Sequence, residues 1–248
     1  MQEINIENYE KEILELKEKI DSFKPFSDFQ LKNLQSWFKI WFTAQSNAIE
    51  WNSFTNEEVK ILIEDGITVW WKTIRELKET QNLAKITDSI WEFFEKDFEI
   101  SEKFILDLHK NLLDWIETKN LWKYRDSQVY ISWSQDKLPS SKEVPKLMKN
   151  FINYCNKEEK NILKKISNIH FDFVKIHPFF DWNWRIARFL MNLYLVKYWF
   201  LPIIFPVVTR LEYISSLWKN KTQNDFYKYF LWQLRENMQD YLRFFEDK

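Results

Sequence analysis

Between positions 176 and 188 the chain reads Ile-His-Pro-Phe-Phe-Asp-Trp-Asn-Trp-Arg-Ile-Ala-Arg. His177 is the one side chain in this stretch able to accept a proton near neutral pH. Asp181 offers a hard oxygen donor of the kind that binds Mg²⁺. Asn183, Arg185 and Arg188 add directed donors, and the planar fork of arginine matches phosphate oxygens. A base, a metal ligand and an anion cradle thus fall within 12 residues. That set suits phosphoryl or nucleotidyl transfer.

Ile186, Phe189, Leu190, Leu193 and Tyr194 follow at helical spacing, so the stretch is a loop running into a helix. A helix N-terminus carries unpaired N–H groups and the positive end of the dipole, a natural seat for phosphate. The rest of the chain is patterned to hold that loop. Ile6, Ile13 and Ile20, interleaved with Tyr9, Leu16 and Phe23, mark an amphipathic helix over 6–23. Ser27 and Asp28 cap a second helix over about 29–49, and Thr55 with Glu58 forms a capping box for a third through Ile63. Further helical patterns span about 71–83, 86–96, 101–116, 143–154, 158–176, 186–199, 210–219 and 223–246. Residues 127–139 differ, because Val129 and Ile131 alternate with polar or aromatic neighbours, which predicts a short β-hairpin. No internal repeat or low-complexity tract interrupts the pattern. The expected fold is all-α with one hairpin.

Composition excludes several classes. The net charge of −1 supplies no basic field for nucleic acid or anionic lipid. No apolar run approaches the ~20 residues of a membrane span, and the N-terminus lacks a secretory h-region. The single cysteine, Cys155, cannot form an internal disulfide and is expected in the core. A cytoplasmic protein is the expectation. His109 and His170 sit among apolar neighbours and read as packed histidines, with no Cys or His cluster for zinc.

One compositional fact is anomalous. The 248 residues contain 1 glycine and 14 tryptophans, where average usage of about 7% would give roughly 17 glycines. Turns and helix C-caps need residues tolerant of positive φ. Trp122 and Trp133 lie between polar residues where turns are expected. The pattern is that of a genetic code in which UGA, written here as Trp, is read as Gly.

The 177–188 stretch resembles the Fic family motif, H-x-F-x-D/E-G-N-G/K-R-x-x-R. His177, Phe179, Asp181, Asn183, Arg185 and Arg188 match, and the two departures, Trp182 and Trp184, fall where the family has glycine. Literal indoles there are expected to crowd the cradle. Ser46-Asn47-Ala48-Ile49-Glu50-Trp51-Asn52 resembles the family's inhibitory helix, S/T-x-x-x-E-G/N, again with Trp for Gly. Residues 71–76, 121–125 and 203–206 and Tyr213 are similar to other family segments, so the resemblance covers about residues 40 to 235.

The resemblance implies a Fic-type helical bundle, with residues 1–60 as N-terminal helices including the inhibitory one and 61–248 as the core. It implies a protein adenylyltransferase using ATP and Mg²⁺. His177 would deprotonate the target hydroxyl and Asp181 would hold the metal. Asn183 and the amides around Trp182 and Trp184 would bind phosphate oxygens, and Arg185 and Arg188 would neutralise the leaving phosphates. A flap including Gln128, Val129, Tyr130 and Ile131 would hold a protein target, this chain itself included, as an added strand. Glu50, oriented by Ser46 one turn earlier, would pair with Arg188 and inhibit transfer. Alternatives are a non-catalytic binding protein if Trp182 and Trp184 are real, transfer of another phosphate-containing group, or removal of AMP. The 6–23 seam could also pair two copies.

Overall fold

The computed structural model describes residues 5–93, 98–117, 119, 122–131, 136–218 and 220–246. Ten α-helices are described: α1 (Ile6–Asp21), α2 (Asp28–Ile49), α3 (Asn56–Glu64), α4 (Ile74–Ser89), α5 (Glu102–Leu112), α6 (Val144–Asn156), α7 (Ile162–Ile176), α8 (Asn183–Lys197), α9 (Arg210–Leu217) and α10 (Gln223–Glu246). Short 3₁₀ turns lie at Ile90–Phe93 and Val207–Thr209.

The central element is α8, whose residues from Asn183 to Val196 are all buried. A helix covered on every side has no polar face to give up, and up to Val196 its only charged or amide side chains are Asn183, Arg185, Arg188 and Asn192. It packs on α7, which packs on α10 and α6, while α2 packs on α4 and α3. Ile13 and Ile20 turn the seam of α1 onto α10, so the face that could pair two copies is covered within the chain. Ile40, Ala44, Phe54, Val59 and Leu62 form a small satellite cluster fixing α3 against α2. α2 ends at Ile49, with Glu50 as its C-cap residue.

Three helix starts follow their local chemistry. Ser27 with Gln30, Thr55 with Glu58 and Thr73 with Glu76 each form reciprocal capping boxes. The last corrects the two helices expected over 71–83 and 86–96. A single helix starts after Thr73 and runs into the 3₁₀ turn ending at Phe93. The helix expected from 186 starts three residues earlier, because Asn183 folds back onto the preceding loop.

The hairpin is also corrected. Residues 127–131 and 136–139 contain no strand, and 132–135, with Trp133, lie outside the described residues. Side chains take up the backbone carbonyls that a ladder would use. Arg125 donates from Nη1 to Ser127 O at 3.1 Å and from Nη2 to Pro139 O at 2.5 Å. Gln128 Nε2 donates to Val129 O at 3.2 Å.

Trp51, Trp115, Trp122, Trp182 and Trp199 all have φ between 57° and 73°. For an L-residue with a Cβ the left-handed region costs roughly 1–2 kcal/mol. Trp115 is 82% exposed and recovers little of that by packing. Trp115→Gly is therefore expected to stabilise the protein by about 1 kcal/mol in urea denaturation, whereas Trp115→Ala should give no such gain. If UGA encodes glycine here, intact mass of the natively produced protein falls below that of the written sequence by a fixed increment per exchange. An unchanged mass would remove the recoding.

Candidate functional site

The loop joining α7 to α8 is pinned at both ends by left-handed residues. His177 (φ 51°, ψ 61°) ends α7, donating its N–H to Phe173 O at 3.0 Å. Trp182 (φ 73°, ψ 0°) caps α8. Between them Asn183 acts as a staple. Its Oδ1 accepts from Phe179 N–H at 2.9 Å and its Nδ2 donates to Phe179 O at 2.8 Å. Both ends of its buried amide shape the loop. Phe179 itself is fully buried, stacked on the His109 ring with centroids 3.7 Å apart. His109 and His170 are packed histidines, as their neighbours suggested.

Arg125 fastens the same loop from outside. Its N–H donates to Pro178 O at 2.9 Å and its Nε to His177 O at 2.8 Å. His177 is buried and its Nδ1 faces Val174 O at 3.4 Å. A proton on Nδ1 would leave Nε2 as the basic nitrogen. Burial, with the Arg125 charge nearby, lowers the His177 pKa to about 4, against the opposing Val174 carbonyl. The imidazole is neutral at pH 7.

His177, Asp181, Trp182, Asn183, Trp184 and Arg185 line one cleft of about 260 Å³, which Glu50, Tyr130, Ile131 and Arg210 also border. Of the flap residues, Tyr130 and Ile131 reach it; Gln128 and Val129 are not among its lining. The expected crowding by indoles is partial. Trp182 is buried beneath the Arg185 guanidinium, 4.1 Å from its ring centroid, and Trp184 packs edge-on to Tyr213. The cleft stays open yet falls short of the roughly 300–1,000 Å³ usual for ligand pockets.

The two arginines are held differently. Arg188, 1% exposed, donates from Nε to Ser46 Oγ, from Nη2 to Ser46 O and from Nη2 to Glu50 Oε1, each at 2.9 Å. Burial opposes its charge, but Tyr213 and Glu50 outweigh that and raise its pKa. Arg185 donates from Nη2 to Glu79 Oε2 at 3.2 Å, while its buried Nε has no hydrogen-bond partner. Burial lowers its pKa against the opposing Glu50 and Glu79 charges. A buried guanidinium with an idle N–H is a site lacking an acceptor.

Glu79 escaped the sequence reading, and Arg75 entered it only within the 71–76 segment, with no role. Glu79, buried on α4, accepts from Arg185, from Arg75 Nε at 3.0 Å and from Asn52 Nδ2 at 3.2 Å. Arg75 Nη2 reaches Asp181 Oδ2 at 3.1 Å, while Asp181 Oδ1 accepts from Trp182 N–H at 2.7 Å. The only sequence signal was the i,i+4 spacing of Arg75 and Glu79, which most surface helices share. Among the described residues no cluster of three His, Cys, Asp or Glu could hold a metal alone, and no helix is long and apolar enough to cross a membrane.

Residues 99–195 match the model of the Fic/DOC family. Over 175 residues the chain is 31% identical to protein adenylyltransferase fic-1 of Caenorhabditis elegans, covering 68% of this chain and 34% of that protein. It is 30% identical to protein adenylyltransferase Fic of Drosophila grimshawi, covering 69% and 36%. The chain thus spans about a third of the length of these curated relatives. Among solved structures, a Fic domain containing signalling protein of Bacteroides thetaiotaomicron shares the fold with a TM-score of 0.86, at 23% identity, over 96% of this chain and 98% of that one. Fic-1 of C. elegans gives 0.82 at 23% identity, over 97% and 73%.

Burial makes a checkable demand on this site. It lowers His109 and His177 to about 4 and His170 well below its ordinary value. Unfolded, each would take a proton near pH 6.5. Below that pH the unfolded chain binds more protons than the folded one, so stability is lost as pH falls from about 6.5 towards 4. Chemical denaturation at about pH 5 should show a loss on the order of 2 kcal/mol each for His109 and His177 relative to about pH 7, with His170 acting in the same direction. Equal stability at both would contradict the neutral, buried imidazoles.

Proposed function

We propose, from the match of residues 99–195 to the Fic/DOC family model, that the chain is a protein adenylyltransferase held at low activity by Glu50. In this reading a Ser, Thr or Tyr hydroxyl of a protein target attacks the α-phosphorus of ATP. The new O–P bond forms as the bond to the bridging oxygen breaks, pyrophosphate leaves, and the hydroxyl proton passes to His177. Support comes from the cleft that brings His177, Asp181, Arg185 and the start of α8 together.

His177 would enter neutral, and a proton on the Nδ1 that faces Val174 O would leave Nε2 as the base. The N-terminus of α8 would stabilise negative charge on the phosphates, and the Arg185 guanidinium beside the cleft would add its positive charge. Tyr130 and Ile131 border the cleft, where they would position the target hydroxyl. The donor set fits a hard divalent cation. Asp181 supplies one accessible carboxylate already facing a cation, the Arg75 guanidinium. Mg²⁺ typically takes one or two carboxylates plus substrate phosphates and waters. Asp181 would hold it, and it would supply charge neutralisation beside the phosphates.

The observation that carries the inhibited state is the Glu50–Arg188 pair. Arg188 is engaged by Ser46, Glu50 and Tyr213, and in this reading Glu50 would occupy the guanidinium that a terminal phosphate needs. Hydrogen bonds between charged groups contribute about 1.5–3 kcal/mol, so releasing this one is worth roughly 10- to 100-fold in rate. Glu50→Gly should raise transfer of labelled AMP from ATP by about that factor, and His177→Ala in the same background should abolish it. Unchanged transfer in Glu50→Gly, with the protein otherwise competent, would remove the inhibitory role. No transfer and no Mg·ATP binding in Glu50→Gly would remove the enzymatic reading.

A further inference from the structure

We propose that Arg75 is a resident cation on Asp181, and that a divalent metal entering with the nucleotide has to displace it. The inference rests on the adenylyltransferase reading, in which Asp181 is the metal ligand, and adds a residue outside the motif to the control of metal binding.

Four side chains of alternating charge run in a line: Asp181, Arg75, Glu79 and Arg185. Its two halves differ in environment. Glu79 and Arg185 are buried, and Glu79 is further fixed by Asn52 Nδ2 at 3.2 Å. Arg75 and Asp181 are 60% and 56% exposed. Glu79 holds Arg75 by its Nε at 3.0 Å, which aims the outer end of the guanidinium at Asp181 Oδ2. Nearby charges sharpen the balance. Glu79, Asp181 and Glu117 raise the Arg75 pKa, so it stays cationic throughout the usable pH range. Arg185 also feels the Asp181 charge.

An exposed ion pair is weak, because water and salt screen it and two side chains lose freedom. A doubly charged ion held by Asp181 beside a polyphosphate would compete on favourable terms. Arg75 can yield by turning its outer nitrogens away while its Nε stays on Glu79. The contact nevertheless has to be broken, so it subtracts from metal affinity. An ordinary surface ion pair would have no such effect on the metal.

The test is Mn²⁺ titration in the presence of ATP, with protein-bound ion separated by ultrafiltration from free Mn²⁺ and Mn·ATP, which pass the membrane. R75Q should tighten Mn²⁺ binding about two- to fivefold, the range an exposed ion pair can supply. R75K, which keeps a cation near Asp181, should remain closer to the parent protein. In a D181N background R75Q should no longer change Mn²⁺ affinity. Binding in R75Q equal to or weaker than the parent overturns the displacement and leaves the adenylyltransferase reading standing. Failure of the parent, R75Q and E50G proteins alike to retain Mn²⁺ with ATP overturns both.

Discussion

A guanidinium buried to 1% exposure cannot stand without acceptors, and the arrangement around Arg188 follows from that demand. Breaking a buried charged pair by removing one partner typically costs about 3–5 kcal/mol. Arg188 meets the demand with Ser46 twice, Glu50 once and the Tyr213 hydroxyl at 3.4 Å. Tyr213 is in turn 2.7 Å from His170 Nε2. The end of α2 is thereby tied to the middle of α8, across a sequence separation of 138 residues. Under the proposed function, inhibition and substrate binding are two ways of satisfying one cation.

Around that tie the loop from His177 to Trp182 is over-determined. Left-handed residues stand at both ends, Asn183 staples the middle, Phe179 anchors it to His109, and Arg125 holds it from the far side. Such redundancy keeps amides at the start of α8 in place before a ligand arrives, which is what electrostatic preorganisation requires.

The motif made much of this site legible in the sequence, because its residues are close along the chain and their types announce their chemistry. The capping boxes at Ser27 and Thr55 were legible for the same reason. What escaped depends on distance. Glu79 meets Arg185 across 106 positions, and Arg125 meets His177 across 52. Neither looks different from a solvated charge until the helices dock. The division of 71–96 into two helices failed because Thr73 and Glu76 set the start, a local signal outvoted by apolar spacing. The hairpin failed because Arg125 and Gln128 take carbonyls that alternation alone assigns to a neighbouring strand.

Arg125 has one further consequence. Its guanidinium touches the backbone at His177, Ser127 and Pro139, while its own N–H holds Pro178. The segment bordering the mouth of the cleft and the turn presenting the imidazole therefore share a rigid fastener. Under the proposed function, a docking polypeptide that shifts Tyr130 or Ile131 transmits the displacement to the proton acceptor. Misfitted proteins would be turned away through poor alignment of the base, and recognition need not depend on affinity alone.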